Sequence, residues 1–487
     1  MNAIILCAGL GSRLLPITLN TPKPLLQIKG KSILENTIGI LHNANISDIV
    51  VVCGYKHHLF TPLSKRLRFK KIVFPHFAIK NSAASLKCAI NHIKKGTLII
   101  NGDLFFTRDF TQELNFGVSS FLGQEIVNGS FWGYITDENC KLLDIDINAN
   151  SGFGDGVAFL DSEADLAILK DCLMQVDDSG YWENLVLKAL DEVNFYAFKA
   201  HSQFYTEIDS IKDALDSTLL TPQEVAMQIS ADGSIERLKG ITNINYKITY
   251  EGKSQVLRLP RKNIDNVIDR EAERSILKLI APLGITCDSV FYGSDIKISA
   301  FLEDFHNAEF SDINDDFLCL CVEKMKVLHK IKFDSTLKIP KIYLLDEIKK
   351  YENLAKITLT TQKEHKYLLD IARFHDNGEF VLCHRDLQLP NIMIGKNAKT
   401  IKFIDFEYAG FSCIAWELGN FAAELALDKN QIKLLSQTYA NVSELEILQG
   451  MLLSNYIWCL WGFIYGRIDL ARDYLARFNE NLKELCE

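Results

Sequence analysis

One stretch near residue 386 limits most strongly what this chain can fold into. It reads CHRDLQLPN over residues 383–391, and FIDFE follows over residues 403–407. Asp386 lies five residues before Asn391, and Asp405 follows a second apolar run. A carboxylate such as Asp386 can accept the proton of an attacking hydroxyl, while Asn391 and Asp405 offer the hard oxygen atoms that Mg²⁺ prefers. Taken one at a time, these residues could be a helix-capping Asp and two turn residues. The spacing of all three together favours a phosphoryl-transfer site.

The same spacing is found in the catalytic loop and metal-binding Asp of kinases. Residues 403–424, with Glu407 two positions after Asp405, resemble the choline/ethanolamine kinase branch of the aminoglycoside-phosphotransferase-like kinases rather than the protein kinases. The resemblance covers roughly the C-terminal half of the chain. It implies a bilobal α+β domain that uses ATP and Mg²⁺ to phosphorylate a small amino alcohol.

Length and composition exclude several other classes of protein. A chain of 487 residues with 48% hydrophobic composition predicts two or more domains with full-sized cores. A net charge of −9 argues against nucleic acid as a partner. The twelve cysteines form no Cys-x-x-Cys pair and indicate reduced thiols in a cytoplasmic protein. The uncharged stretch at residues 450–466 is too short for a membrane span and predicts a buried helix without membrane insertion. The oligomeric state stays open.

The N-terminus begins with a short apolar run, residues 3–7, that is typical of a buried parallel strand. It leads into a loop in which the backbone N–H groups of Gly9, Gly11 and Ser12 can close around phosphates. A dinucleotide-binding fingerprint would need a third Gly where Leu14 stands, so that class of site is not indicated.

Arg13, Pro16 and Thr18 follow this loop, and TPKPL occupies residues 21–25. Together they resemble the signature of the sugar-nucleotidyltransferase superfamily. That superfamily joins a nucleoside triphosphate to a phosphorylated acceptor and releases pyrophosphate. The resemblance implies that Arg13 helps the glycine loop to hold the β- and γ-phosphates, and that Lys23 neutralises charge on the α-phosphate during attack. A solvated basic loop is the alternative.

Strand-like and helix-like segments alternate after this loop, which predicts a Rossmann-like α/β domain with a mixed, mostly parallel sheet. Asp103 ends an apolar run, and active sites of open α/β sheets lie at the carboxyl ends of strands. Asp103 is therefore a candidate Mg²⁺ ligand, or else a turn residue that caps the next segment.

Three further segments resemble the phosphocholine cytidylyltransferase branch of that superfamily: residues 81–86, 181–184 and 207–210. The resemblance implies CTP as the nucleotide, with Asn81 facing the base or the acceptor and Asp209 as the second metal carboxylate. Tyr181 and Trp182 are candidates to face a quaternary ammonium, although packing within a small lid explains them equally well.

We predict the domain boundary between residues 219 and 220. Thr221 can cap a helix whose first residue is Pro222 and whose third is Glu224. Residues 1–219 would form the nucleotidyltransferase domain and residues 220–487 the kinase-like domain. No long flexible linker separates them, so we expect the two domains to pack against one another.

Residues 238–248 resemble the phosphate-covering hairpin of choline-kinase-like enzymes, in which Gly240 and Asn243 can approach phosphate closely. Arg258 occupies the place of the usual strand lysine of kinases. Glu273, near the start of the next helix, is the predicted partner of Arg258. Glu271 is the competing candidate. Residues 296–305 would line the adenine pocket.

The last third of the chain contains aromatic residues suited to a cationic substrate. Trp458 and Trp461 are three residues apart and share a helix face. Two indoles can hold an ammonium by cation–π attraction. Core packing would also explain them. The predicted substrate-binding residues of this half are Glu407, Glu424, Trp458, Trp461 and Tyr474.

Both resemblances together imply two enzymes acting in sequence. The second half would phosphorylate choline with ATP, and the first would transfer CMP from CTP to phosphocholine, giving CDP-choline and pyrophosphate. Two alternatives stay open. The amine could be ethanolamine or another small amino alcohol, or the first half could be a sugar-1-phosphate nucleotidyltransferase beside a regulatory kinase-like domain.

Overall fold

A nine-stranded mixed sheet organises the first 200 residues of the computed structural model, which describes residues 1–127, 131–240, 243–261, 268–293 and 296–486. The strands before residue 220 are β1 Asn2–Cys7, β2 Gln27–Ile28, β3 Lys31–Ser32, β4 Asp48–Cys53, β5 Lys70–Val73, β6 Thr97–Asn101, β7 Leu104–Phe106, β8 Ser119–Glu125, β9 Phe131–Thr136, β10 Leu142–Ala149, β11 Phe153–Leu160, β12 Phe195–Lys199 and β13 Tyr205–Glu207. The helices are α1 Ile33–Asn43, α2 Phe60–Leu67, α3 Ser82–Lys87, α4 Leu166–Gln175, α5 Asn184–Ala189 and α6 Ile211–Asp216.

The parallel strands β5, β4, β1 and β6 form one side of this sheet with β5 at its edge, and β11 joins them antiparallel to β6. Every residue of β1 is buried, as expected for a strand covered on both faces. α1 begins where Ser32 accepts a hydrogen bond from the Glu35 backbone N–H at 3.1 Å, which completes a capping box. The predicted α/β class with a mostly parallel sheet is confirmed for this half.

The second half contains two lobes, as predicted. Its strands are β14 Ile235–Leu238, β15 Ile244–Tyr250, β16 Lys253–Leu259, β17 Ser289–Tyr292, β18 Lys297–Ala300, β19 Phe305–Asn307, β20 Phe380–Cys383, β21 Ile392–Gly395, β22 Ile401–Phe403 and β23 Gly410–Cys413. Its helices are α7 Pro222–Ile229, α8 Arg270–Ile280, α9 Asp315–His329, α10 Leu344–Ala355, α11 Gln362–Asp376, α12 Ile414–Glu424, α13 Lys429–Tyr439, α14 Glu444–Ile464 and α15 Ile468–Cys486.

A five-stranded antiparallel sheet, in the order β14-β15-β16-β18-β17, forms the smaller lobe together with α8. The larger lobe is mostly helical, and its core includes buried side chains of α9, α12 and α13. Within the described residues α14 is the one helix long and apolar enough to cross a bilayer, and 78% of its apolar window is buried inside the fold. All twelve cysteines are free thiols.

The two halves meet in one continuous cluster of buried side chains, which we call the shared core. The first half contributes Leu14, Ile17, Leu26, Ile28, Ile33, Phe105, Ile208, Ile211, Ala214, Leu219 and Leu220, and the second contributes Val225, Ala226, Ile229, Tyr246, Ile248, Tyr250, Leu257, Leu259, Ile296 and Ile298. The halves therefore pack together, as the absence of a long linker predicted. The boundary between residues 219 and 220 stays a prediction. It lies just before α7, where Thr221 and Glu224 form the expected capping box.

Two candidate active sites

The glycine loop of the first half follows β1 and folds back towards Lys23. Gly11 has a φ of +63°, and a Cβ there would lie 3.0 Å from Thr18 Cγ2 and 3.1 Å from Lys23 Cβ. The Thr18 hydroxyl donates to the Gly11 carbonyl at 2.9 Å. Gly9 has open space around it, and Ser12 begins a short 3₁₀ turn. A side chain at Gly11 would push this loop away from Lys23.

Lys23 is the cationic centre of this site. Its Nζ donates to Asp103 Oδ2 at 3.0 Å and to Asp209 Oδ1 at 2.6 Å. The other oxygen of Asp209 pairs with Arg13 Nη2 at 2.7 Å. Burial by itself would lower the pKa of Lys23, but Asp103 and Asp209 raise it above its ordinary value, so the ammonium stays charged. The structure thus brings together four residues predicted from separate motifs.

A third carboxylate joins this group. Oxygens of Asp103, Glu207 and Asp209 lie within 4.8 Å of one another. Burial, together with the charges of Asp103 and Asp209, raises the pKa of Glu207 well above its ordinary value. Sequence reasoning identified only Asp209 in this segment. Glu207 and Asp209 are two residues apart, so in an extended segment their side chains lie on the same face. This spacing could have identified Glu207 from the sequence.

On the acceptor side, the two predicted aromatic residues lie in different surroundings, and Trp182 is in the core. Its side chain is 2% exposed within the core of the first half, and its indole N–H donates to Asn101 Oδ1 at 3.0 Å. Tyr181 is 49% exposed and makes an edge-to-face contact with Trp132, with ring centroids 5.0 Å apart. Adjacent residues point in different directions, so only Tyr181 can present a face to a ligand. Trp132 was not predicted.

Asn81 lies beside the Tyr181 segment. Its side-chain oxygen caps α3 by accepting from the Ser82 N–H at 2.8 Å. Two half-buried carboxyl groups that the sequence did not indicate also belong to this region. Burial raises the pKa of Asp155 to about 7 and that of Glu183 to about 8. Glu183 receives a hydrogen bond from Asn101 at 3.4 Å, and its Oε2 has no hydrogen-bond partner within the described residues.

In the second half, the predicted catalytic loop lies between β20 and β21. The Asn391 side-chain N–H donates to the Asp386 carbonyl at 2.9 Å and to Asp386 Oδ2 at 3.0 Å. Gln388 donates to both carboxylate oxygens of Asp386, at 3.3 and 3.2 Å. Burial raises the pKa of Asp386 well above its ordinary value, and the charges of Glu424 and Asp405 raise it further.

Asp405 adopts a left-handed backbone conformation with φ of 65°. Burial and the charge of Glu407 raise its pKa to about 7, while Arg258 and Lys297 oppose that shift. A buried carboxylate of α12, Glu417, anchors the catalytic loop by accepting the backbone N–H groups of His384 and Arg385, each at 2.8 Å. No motif pointed to Glu417.

Arg258 pairs with Glu273, whereas Glu271 lies on the surface with Lys338 at 2.6 Å. The guanidinium donates to the two oxygens of Glu273 at 2.6 and 2.7 Å. Lys297, which was not predicted, donates to the same carboxylate at 2.8 Å. Two strand cations therefore share one buried helix carboxylate.

Glu407, which was predicted to bind the amine, contacts the smaller lobe. Its carboxylate accepts from Asn243 Nδ2 at 2.8 Å and from Arg270 Nη1 at 2.9 Å. Both partners belong to the smaller lobe, so Glu407 faces that lobe. A Cβ at Gly240 would lie 2.8 Å from the Asn243 carbonyl. Residues 241 and 242 of the predicted hairpin lie outside the described residues.

Four aromatic residues form a group in the larger lobe, which we call the aromatic cluster: Tyr408, Trp458, Trp461 and Tyr474. Trp458 and Trp461 are each 7% exposed, with ring centroids 6.3 Å apart at 77°. Tyr408 contacts Trp458 edge-on at 5.3 Å and accepts the Trp461 indole N–H at 3.0 Å. Tyr474 donates to Glu424 at 2.8 Å. Tyr408 was not predicted as part of this group.

Glu424 accepts the Tyr474 hydroxyl, and its charge also acts on Asp386. Burial raises the pKa of Glu424, and its charge in turn raises the pKa of Asp386. Tyr408 stands three residues after Asp405 and contacts Trp458, so the aromatic cluster lies near a candidate metal ligand of the same half. Such a set suits a small cation that carries a hydroxyl.

Comparison with known proteins assigns both halves. The nucleotidyl transferase family matches residues 2–124, and the choline/ethanolamine kinase family matches residues 235–458. The choline-phosphate cytidylyltransferase of Haemophilus influenzae is 30% identical over 225 residues, which is 44% of this chain and 94% of that protein. The enzyme of the same name from Streptococcus pneumoniae is 28% identical over 219 residues, 44% of this chain and 95% of that protein.

Among solved structures, a choline kinase from Streptococcus pneumoniae is 21% identical, covering 52% of this chain and 93% of its own, with a TM-score of 0.46. The family matches agree with the two sets of site residues, one in each half. The chain therefore belongs to the nucleotidyl transferase family through its first half, its second half contains the domain that matches the choline/ethanolamine kinase family, and the two together make a bifunctional nucleotidyltransferase and kinase.

Proposed function

We propose that the second half phosphorylates choline with ATP and that the first half transfers CMP from CTP to the resulting phosphocholine. The observation that carries this proposal is the contact of the aromatic cluster with the phosphoryl-transfer residues: Tyr408, three residues after Asp405, accepts the Trp461 indole N–H at 3.0 Å. The relatives of the first half are choline-phosphate cytidylyltransferases, so the product of one half would be the acceptor for the other. The reduced thiols favour a cytoplasmic location.

In the kinase half, the aromatic cluster and Glu424 would hold the trimethylammonium and direct the choline hydroxyl towards Asp386. Asp386 accepts the hydroxyl proton as the oxygen attacks the γ-phosphorus of ATP, and the bond to the β-phosphate oxygen breaks to release ADP. The raised pKa of Asp386 suits a proton acceptor. Arg258 and Lys297 supply positive charge on the side of the nucleotide.

In the transferase half, a phosphate oxygen of phosphocholine attacks the α-phosphorus of CTP. The bond between the α- and β-phosphates breaks, giving CDP-choline and pyrophosphate. Lys23 would neutralise charge that develops on the α-phosphate, and Arg13 with the loop of Gly9, Gly11 and Ser12 would hold the leaving pyrophosphate. Asn81 and Tyr181 lie on the side proposed for the base and the acceptor.

The described residues fit Mg²⁺ in both halves. Asp103 Oδ1 is buried and has no hydrogen-bond partner in the described parts of the chain, and a cation held by Asp103, Glu207 and Asp209 would satisfy it. In the kinase half, Asn391 commits its amide N–H to Asp386, so its side-chain oxygen and the carboxylate of Asp405 are the atoms to hold the metal. Bound Mg²⁺ would neutralise phosphate charge as a Lewis acid.

Removal of the metal should therefore stop both activities. With EDTA in excess we expect phosphorylation and cytidylyl transfer to fall to background, and Mg²⁺ to restore both. Circular dichroism before and after chelation serves as the control for folding. Full activity of either half in chelator would contradict the metal assignment for that half.

The aromatic cluster predicts a preference for choline over ethanolamine. A trimethylammonium has no N–H donor and is stabilised by aromatic faces, whereas a primary ammonium needs acceptors for three N–H groups. If Trp461 contributes about 1–2 kcal/mol, Trp461→Ala should lower kcat/KM for choline by roughly 5- to 30-fold and lower that for ethanolamine less. Trp461→Phe, which keeps an aromatic face, is the matched control. A wild-type preference for ethanolamine would overturn the choice of amine.

Product analysis tests the proposal as a whole. Mass spectrometry of reactions with ATP, CTP and a panel of amino alcohols should show the phosphorylated amine and its CDP derivative. Separate assays with UTP, dTTP and GTP, each with sugar 1-phosphates, cover the alternative for the first half. Transfer only to a sugar phosphate, or no release of ADP with any amine, would contradict the proposal.

A further inference from the structure

Both candidate sites lie directly against the shared core. In the first half, Arg13 precedes Leu14, and Ile208 stands between Glu207 and Asp209. Leu14 and Ile208 are fully buried in the shared core. The chain segments that carry the phosphate-binding arginine and two of the three clustered carboxylates are therefore fixed by packing against the second half.

The second half contributes one face of its five-stranded sheet to the shared core. Arg258 and Lys297 lie on the opposite face of that sheet. Leu257 and Leu259 flank Arg258 on β16, and Ile296 and Ile298 flank Lys297 at β18. The antiparallel pairing of the two strands sets Leu257 opposite Ile298, and Arg258 opposite Lys297. Successive strand residues point to opposite faces, so the cations face Glu273 while their neighbours enter the shared core.

Two contacts connect the halves beside this core. The Gln228 side chain of α7 donates to the Gln27 carbonyl, just beyond the Lys23 turn, at 3.1 Å. A Cβ built at Gly293, after β17, would lie 3.5 Å from the Leu15 carbonyl oxygen, two residues after Arg13. The loop that carries Arg13 therefore rests on the smaller lobe of the kinase half.

We infer that Leu257 and Ile298, which belong to the kinase half by sequence, are positioning residues for nucleotide binding at the other site. They act through Leu14 and Ile208, holding the Arg13 loop and the Asp209 segment in the arrangement that binds the triphosphate. This inference rests on the proposed use of CTP by the first half. It makes the kinase sheet a structural part of the transferase site, although no residue of that sheet reaches the substrate.

The test is the affinity of the full chain for CTP with Mg²⁺, measured by isothermal titration calorimetry, alongside KM and kcat for transfer to supplied phosphocholine. Leu257→Ala should raise the Kd and KM for CTP by roughly 3- to 30-fold, the range expected when a coupled but remote residue is altered. Leu257→Met, which conserves volume, should stay close to wild type. Ile298→Val, a smaller change, should shift both constants in the same direction as Leu257→Ala.

Leu435→Ala is the matched control, because Leu435 is equally buried but belongs to the core of the larger lobe. Simple loss of folded protein would lower kcat per mole of chain without altering Kd or KM. An unchanged Kd for CTP in folded Leu257→Ala and Ile298→Val proteins, or an equal rise in Leu435→Ala, would overturn the inference. Binding is measured without acceptor, so a wild type that binds CTP but forms no CDP product would count against the proposed function alone. A wild type that binds no CTP would overturn both.

Discussion

Replacing Asp386 with Asn should lower phosphorylation of the amine by about 10²- to 10⁴-fold, the usual contribution of a positioned general base. The amide matches the carboxylate in shape, and its single oxygen can still accept from both Gln388 and Asn391, as Asp386 Oδ2 does. The expected loss is therefore the loss of the proton acceptor rather than of the loop structure. ADP release with choline and ATP is the measurement.

The same variant should transfer the cytidylyl group to supplied phosphocholine within about twofold of wild type, because Lys23 and its carboxylates belong to the other half. Asp370→Asn, an exposed position on α11, is the matched control and should leave both activities unchanged. If Asp386→Asn abolished cytidylyl transfer in a folded protein, the proposal of two separate active sites would be wrong.

Lys23→Ala should produce the opposite result. We expect cytidylyl transfer to fall by about 10²- to 10³-fold, as when one preorganised charge-stabilising group is removed from an active site. The loss should be large because Lys23 is the buried cation between Asp103 and Asp209. Without it, the two carboxylates repel each other and the approaching triphosphate.

Pyrophosphate release with CTP and supplied phosphocholine measures this effect, and amine phosphorylation by the same variant should stay within about twofold of wild type. Lys65→Ala on α2 changes an exposed lysine and serves as the control for net charge. Transfer that survives in Lys23→Ala would remove Lys23 from the proposed mechanism. Simultaneous loss of phosphorylation would show that the two halves fail together.

Both predictions depend on residues that the sequence alone indicated. Asp386, Asn391 and Asp405 stand close together in the chain, and so do Gly11, Arg13 and Lys23. Short spacings of this kind are set by one loop or turn, so they can be recognised without knowing the packing. The mostly parallel sheet of the first half was likewise predictable, because alternating apolar strands and helices leave few other topologies.

The tertiary structure decided which way side chains point and which distant residues meet. Trp182 could not be separated from Tyr181 by sequence, because only packing shows that one ring enters the core and the other stays exposed. Glu407 was predicted to bind the amine, and only the fold shows that Asn243 and Arg270, from far earlier in the chain, hold its carboxylate against the smaller lobe. Lys297 lies 24 residues from Glu273, and no local pattern links them.

The shared core is the clearest case of this kind. Alternation along β16 predicts that Leu257 and Arg258 face opposite sides, but it does not say what covers the apolar side. In this protein the covering surface is the loop and carboxylate segments of a different active site. The hydrophobic effect is non-directional, so an apolar side chain does not specify which surface will cover it. Such contacts are therefore determined by the whole fold and cannot be recognised from a local motif.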